Sequence, residues 1–206
     1  MNLSGLAGVI LAAGESSRMG RDKALLPWPP EGPGTILSTA IQALSSACDM
    51  VIVVAGKNEA NLRPVAYAAG AFLLQNPAPE RGQFSSLQTG LPEVLNRGRD
   101  SAMVTLVDRP PPRAETLTRL VDAFLGRDHG IWAVVPEYLG KHGHPFLIGR
   151  EMIEAFLRAP ATANAREIEH ANQKRVSYVA VDDPLVTRNV DTASDYDSLK
   201  SEIRSV

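Results

Sequence analysis

Six apolar runs rich in β-branched residues recur along the chain, at Leu6–Ala12, Met50–Ala55, Ala71–Leu74, Met103–Val107, Ile131–Val135 and Val176–Val181. The segments between them are long enough to hold helices, and this rhythm constrains the fold more than any other feature. Leu37, Ala40, Ile41 and Leu44 repeat with the spacing of one helical face, as do Leu117, Leu120, Val121 and Phe124. Phe84, Leu87, Leu91, Val94 and Leu95 form a third stripe, in which Pro92 predicts a kink or a boundary near Leu91. Thr192 and Asp195 stand in capping-box positions ahead of Tyr196, Leu199 and Ile203, so a last helix is expected there. Continuously apolar strands need cover on both faces, and helical crossovers provide it. The expected architecture is α/β: a three-layer α/β/α sandwich with a mainly parallel sheet.

The chain has 206 residues and shows no internal repeat. Its one linker-like piece, Pro27 to Gly34, is too short and too early to separate two domains, so a single domain over residues 1–206 is expected. A formal net charge of −2 offers no positive field along which a polyanion would bind, which argues against a nucleic-acid partner. Cys48 is the single cysteine and cannot form an internal disulfide, which suits a reducing cytoplasm. The Leu6–Ala13 stretch is too short to cross a bilayer and has no basic residue before it, so no membrane association is expected.

In open parallel sheets ligands gather at the C-terminal ends of the strands. After the first run come small residues and glycines ending in Arg18 and Lys23. Such a loop lets backbone N–H groups approach an anion, and two cations neutralise a polyphosphate; the plain alternative is a surface loop with solvated charges. The spacing matches neither the Walker pattern nor the dinucleotide fingerprint. After the fourth run Asp108 precedes Arg109-Pro-Pro-Pro112, which ends the strand and leaves a hard carboxylate at the sheet edge, suited to Mg²⁺ on phosphates or else to a turn. Asp191, ahead of the last helix, is a second such candidate with the same alternative. Ser85 and Ser86 open a helix and either touch a nucleoside or cap it. His142 and His144 lack a third ligand nearby, so a substrate-facing loop is the preferred reading of that segment over a metal site.

Leu11-Ala-Ala-Gly-Glu-Ser-Ser-Arg-Met-Gly-Arg-Asp-Lys23 resembles the signature of nucleotidyltransferases of the nucleotide-diphospho-sugar transferase, or glycosyltransferase-A-like, fold. Gly82-Gln-Phe-Ser-Ser-Leu87, Asp108-Arg-Pro110, Gly143-His-Pro145, Val181-Asp-Asp-Pro184 and Asn189-Val-Asp-Thr192 look like the molybdenum cofactor cytidylyltransferase branch, in order from about Val9 to Leu199. The resemblance implies transfer of CMP from CTP to the phosphate of a molybdopterin-type acceptor, with a molybdenum hydroxylase apo-enzyme as the downstream partner. By family position, Arg18 and Lys23 would bind the triphosphate, with Gly14 leaving room for it. Leu11, Ala12, Ala13, Ser85 and Ser86 would line the nucleotide. Asp108 and Asp191 would hold Mg²⁺, with Arg18, Lys23 and Asp108 the catalytic set, while Gly143, His144 and Pro145 would face the acceptor.

Sister guanylyltransferases usually have Leu-Ala-Gly-Gly where this chain has Leu11-Ala-Ala-Gly14. The Ala13 methyl narrows the pocket and favours a pyrimidine, by about 1–3 kcal/mol. Arg109 stands where the family more often has glutamine or methionine, His142 where a basic residue is common, and Ala193-Ser194 replaces the usual Pro-Glu. The first two departures lie on the acceptor side. Alternatives are another donor such as GTP, a sugar or polyol phosphate acceptor, or a cofactor carrier without catalysis.

Overall fold

The computed structural model describes residues 5–14, 22–29 and 32–204, with the side chains of 202–204 left aside. Eight strands join in one sheet: β1 (Leu6–Ala12), β2 (Met50–Ala55), β3 (Phe72–Gln75), β4 (Ser101–Leu106), β5 (Ala133–Tyr138), β6 (Lys141–His142), β7 (Phe146–Gly149) and β8 (Val176–Ala180). Their order is β3-β2-β1-β4-β7-β5-β6, with β8 beside β5. The pairs β3–β2, β2–β1, β1–β4 and β5–β8 are parallel, whereas β7 lies antiparallel to both β4 and β5, and β6 is antiparallel to β5. The sheet is therefore mixed, with only β6 and β7 reversed.

Helices α1 (Ile36–Ser45), α2 (Glu59–Ala68) and α4 (Ala114–Leu125) cover one face, and α3 (Gln83–Asn96) and α5 (Arg150–Arg158) the other. The period of a strand explains how β1 serves both layers. Leu6, Ile10 and Ala12 meet the first helical layer, while Ala7, Val9 and Leu11 meet the second. Helix α6 (Ala165–Ala171) follows α5, and its N-cap Asn164 exchanges hydrogen bonds with Glu167 in a capping box.

Helix α7 (Ala193–Arg204) begins as the sequence predicts. The Thr192 hydroxyl and N–H donate to Asp195 Oδ2 at 2.9 and 2.7 Å, and the Asp195 N–H returns to Thr192 Oγ1 at 3.2 Å. Those bonds hold the Asp195 carboxyl below its usual range. Tyr196 and Leu199 pack with Leu26, Trp28 and Ile36, and the Tyr196 hydroxyl donates to the Pro27 carbonyl at 2.5 Å. Burial of two such side chains contributes roughly 1.5–3 kcal/mol each. The packing joins the end of the chain to the segment after β1.

Three sequence expectations differ from the fold. Helix α3 runs unbroken through Pro92, because the stripe of Phe84, Leu87, Leu91 and Val94 stays buried along its whole length and outweighs one missing backbone donor. The fifth strand begins at Ala133, two residues later than the run beginning at Ile131. Strands β6 and β7 carry no signal in the six-run rhythm. The first is two exposed residues after a two-residue turn in which Leu139 and Gly140 both have positive φ (48° and 73°), a primed hairpin turn. The second is four residues long, shorter than an average strand.

Candidate active site

The ends of four parallel strands meet at one edge of the sheet. Beyond β1, Ala13 is half-buried and Gly14 exposed. Gly56, after β2, lies so close that a Cβ there would stand 2.6 Å from the Ala13 carbonyl oxygen, so the turn needs glycine. Asn58 ties the layer together. Its Nδ2 donates to the Ala12 carbonyl at 3.1 Å and to Asp22 Oδ2 at 2.7 Å, and its Oδ1 accepts from the Gly56 N–H at 3.0 Å. Asp22 in turn caps the short 3-10 turn Lys23–Leu25, accepting from the Ala24 N–H at 3.1 Å. Lys23 is thereby set against the sheet edge and is 8% exposed.

Beyond β3, Asn76 is buried and plays the same part for the helix opposite. Its backbone N–H donates to the Ala55 carbonyl at 2.8 Å, and its Nδ2 donates to Ser85 Oγ at 2.8 Å and Ser86 Oγ at 3.0 Å. Ser85 also donates toward the Gly82 carbonyl at 2.7 Å, so its hydroxyl is engaged in holding the helix start. Neither Asn58 nor Asn76 was singled out from sequence. Both follow an apolar strand, so the strand-end rule applied to β2 and β3 would have found them.

Beyond β4, the Asp108 carbonyl accepts from the Val190 N–H at 2.9 Å, which draws the segment before α7 into the same edge. Lys23 Nζ then reaches Asp191 Oδ1 at 2.9 Å, joining positions far apart in the chain. Burial raises the Asp108 carboxyl above its usual value; the Lys23 and Arg109 charges oppose that shift and the Asp191 charge adds to it. Burial likewise lowers Arg109, against the pull of Asp108 and Asp191. Arg109 Nη1 donates to the Arg188 carbonyl at 3.2 Å.

Asp108 Oδ1 is buried and accepts no hydrogen bond among the described residues. An unsatisfied buried carboxylate oxygen is costly, and a hard cation would satisfy it. Asp108 and Asp191 thus fit a divalent ion such as Mg²⁺, which takes one or two protein carboxylates and the rest of its ligands from phosphates and water. Among the described residues there is no cluster of three or more His, Cys, Asp or Glu able to form an all-protein site.

Two cavities open at this edge. The first, about 230 Å³, is lined by Ala13, Gly14, Lys23, Ser86 and Asp108 among others. The second, about 380 Å³, has Phe84, Phe146 and His144 in its wall. Leu11, Gly82, Gln83 and Leu106 line both, so the cavities adjoin. A Cβ on Gly14 would meet no atom of the described residues within 4 Å. Ala12 is buried in the core beneath, and Ser85 lines neither cavity. Arg18 lies outside the described residues.

Around Gly143 the chain approaches itself closely. A Cβ on Gly143 would fall 2.2 Å from the Val186 carbonyl oxygen, and that same oxygen accepts from the His144 N–H at 2.8 Å. Pro145 is buried after a cis peptide bond, and His144 alone of the three reaches the second cavity. Burial, with Arg109 adding to it, pushes His144 down to about 3, so its ring is neutral at ordinary pH. The ring meets Phe146 edge-on at 5.4 Å.

The family model for the MobA-like NTP transferase domain matches residues 8–176, most of the chain. The chain belongs to the MobA-like NTP transferase family. It is a nucleotidyltransferase, and its mixed α/β sheet is of the glycosyltransferase-A-like type. The molybdenum cofactor cytidylyltransferase of Escherichia coli (strain K12) is 28% identical over 216 residues, covering 99% of this chain and 100% of its own length. A probable molybdenum cofactor guanylyltransferase of Mycobacterium avium (strain 104) is 34% identical over 116 residues, 56% of each chain. The structure of Rv0371c from Mycobacterium tuberculosis H37Rv in complex with manganese matches with a TM-score of 0.74 at 25% identity, over 96% of this chain and 99% of its own. No described helix of this MobA-like transferase is long and apolar enough to cross a membrane.

Proposed function

We propose that this nucleotidyltransferase transfers CMP from CTP to the phosphate of a molybdenum-bearing pterin. An acceptor phosphate oxygen attacks the α-phosphorus, the bridge to the β-phosphate breaks, and pyrophosphate leaves. The observation that carries the reading is the pair of adjoining cavities. One is lined by Lys23 and Asp108, the other is walled by aromatic and aliphatic side chains.

The chemistry asks the protein mainly for charge neutralisation and in-line placement. Lys23 and Arg18 neutralise the triphosphate, and Lys23 is held ready by Asp191. Asp108 and Asp191 hold Mg²⁺, which when bound polarises the phosphate oxygens and neutralises charge on the leaving group. Ala13 narrows the wall of the donor cavity and favours cytosine over a purine. Gly143, His144 and Pro145 shape the acceptor side, where a neutral His144 avoids trapping the nucleophilic phosphate as a fixed ion pair. Residues 1–206 act as one domain in this reading, and a molybdenum hydroxylase is the consumer of the product.

The guanylyltransferase relatives make GTP the competing donor. Pyrophosphate release with Mg²⁺ and each of CTP, GTP, ATP and UTP, with and without the molybdenum-loaded pterin, is the test. Release that requires both CTP and the pterin is expected. Preference for GTP would overturn the donor assignment, and silence on every NTP despite pterin binding would make the protein a carrier.

A further inference from the structure

Helix α6 is not used by the chemistry above, yet it forms one side of the second cavity through Ala165, Arg166 and Glu169, with Ala163 and Asn164 just before it. Arg166 and Glu169 stand three residues apart and so share a helical face. Glu169 is half-buried. Burial raises its carboxyl above the usual range, and the Arg166 charge opposes the shift. Its charge is also felt by the Tyr178 phenol. A carboxylate partly withdrawn from water in a cavity wall is a strong acceptor for ligand N–H groups.

The rest of the wall says what kind of ligand suits it. Phe84, Leu87, Val104, Leu106 and Phe146 offer flat apolar contact. Arg81, Gln83, His144, Asn164 and Arg166 are the polar members beside Glu169. The five apolar side chains suit a flat ring system, which a sugar or polyol phosphate does not present. A planar heterobicycle with two adjacent N–H donors on one edge matches both the apolar walls and a carboxylate at their end.

We propose that Glu169 reads the amino-pyrimidinone edge of the acceptor, accepting hydrogen bonds from the exocyclic amino group and the neighbouring ring N–H. The assignment rests on the pterin reading of the acceptor site and names the residue that distinguishes a pterin from other phosphate-bearing acceptors. The acceptor's phosphate then extends toward Leu11, Gly82, Gln83 and Leu106, the wall common to both cavities, where the donor's α-phosphorus is reached.

The test is a binding titration, read by ligand fluorescence, with 6-hydroxymethylpterin phosphate and its lumazine counterpart, in which an oxo group replaces the amino group. The unmutated protein is expected to bind the pterin more tightly by on the order of 10- to 100-fold, the scale of hydrogen bonds to a charged group. Glu169→Gln presents one acceptor and one donor, which complements lumazine, so the preference is expected to fall toward unity or reverse. CTP binding by the variant serves as the control for folding and is expected to be unchanged. An unaltered pterin-to-lumazine ratio in the variant, with pterin binding retained, would overturn the role of Glu169 and leave the acceptor reading standing. Failure of the unmutated protein to bind either compound while it binds CTP would overturn both.

Discussion

The two halves of the sheet are built on different rules. From β3 to β4 every pairing is parallel, every crossover holds a helix, and the strand ends deliver Ala13, Gly56, Asn76 and Asp108 to one edge. From β7 outward, short antiparallel strands fold back through a tight turn, and the second cavity takes His144, Phe146 and the α6 segment from this half and Leu11, Phe84, Leu87, Val104 and Leu106 from the other. The first half places charged groups by long, regular elements. The second places its groups by close backbone contacts, as where Gly143 meets Val186. In the proposed mechanism donor chemistry sits on the regular half, and acceptor choice where the two halves meet.

The sharpest way to break that division is Asp108→Asn. It keeps the volume and removes the charge, and turnover is expected to fall roughly 100- to 1,000-fold, the scale for losing one preorganised charge-stabilising group. Acceptor affinity, measured by fluorescence, should hold; a matching loss there would mean that the halves are not separable. Next comes Gly143→Ala. The added methyl must displace Val186, costing roughly 1–3 kcal/mol of stability and weakening the acceptor while nucleotide binding stays as it was. Loss of CTP affinity instead would place this corner in the donor half.

Ala13→Gly should act on the donor alone, shifting the CTP-to-GTP ratio of kcat/KM by about tenfold toward GTP, the scale of one methyl. An unchanged ratio would take base selection away from the β1 loop. A last prediction concerns His144. Its folded pKa of about 3 lies below the ordinary 6.5, so the unfolded chain binds a proton that the folded chain refuses across that window. Stability from a neutral His144 is therefore present above about 6.5 and is lost as pH falls toward 3. Denaturation midpoints of His144→Gln should decline less steeply through that range than those of the unmutated protein. Equal slopes would mean that the ring is protonated without penalty.

The same division explains what could be read without coordinates. Strands buried on both faces must be apolar throughout, so β1, β2 and β4 announce themselves, and the carboxylate after β4 stands out because proline stops the strand. Lys23 and Asp191 were each legible as isolated candidates, but their contact depends on Tyr196 and Leu199 docking beside Trp28, which no local pattern encodes. Strand β6 has two exposed residues and no face to bury, so hydrophobic periodicity says nothing about it. Asn58 and Asn76 look like ordinary loop residues until the Asn58 amide is seen bridging to the end of β1 and that of Asn76 to the start of α3. Glu169 could be placed only once the cavity was seen, since α6 is short and carries no buried residues of its own.

The contact between Lys23 and Asp191 makes the site depend on a segment that the sheet does not need. The last strand ends at Ala180, so a chain clipped before Asp191 keeps every strand. In the proposed mechanism a chain clipped before Asp191 would carry only one of the two carboxylates at its donor cavity, and could hold a nucleotide without spending it.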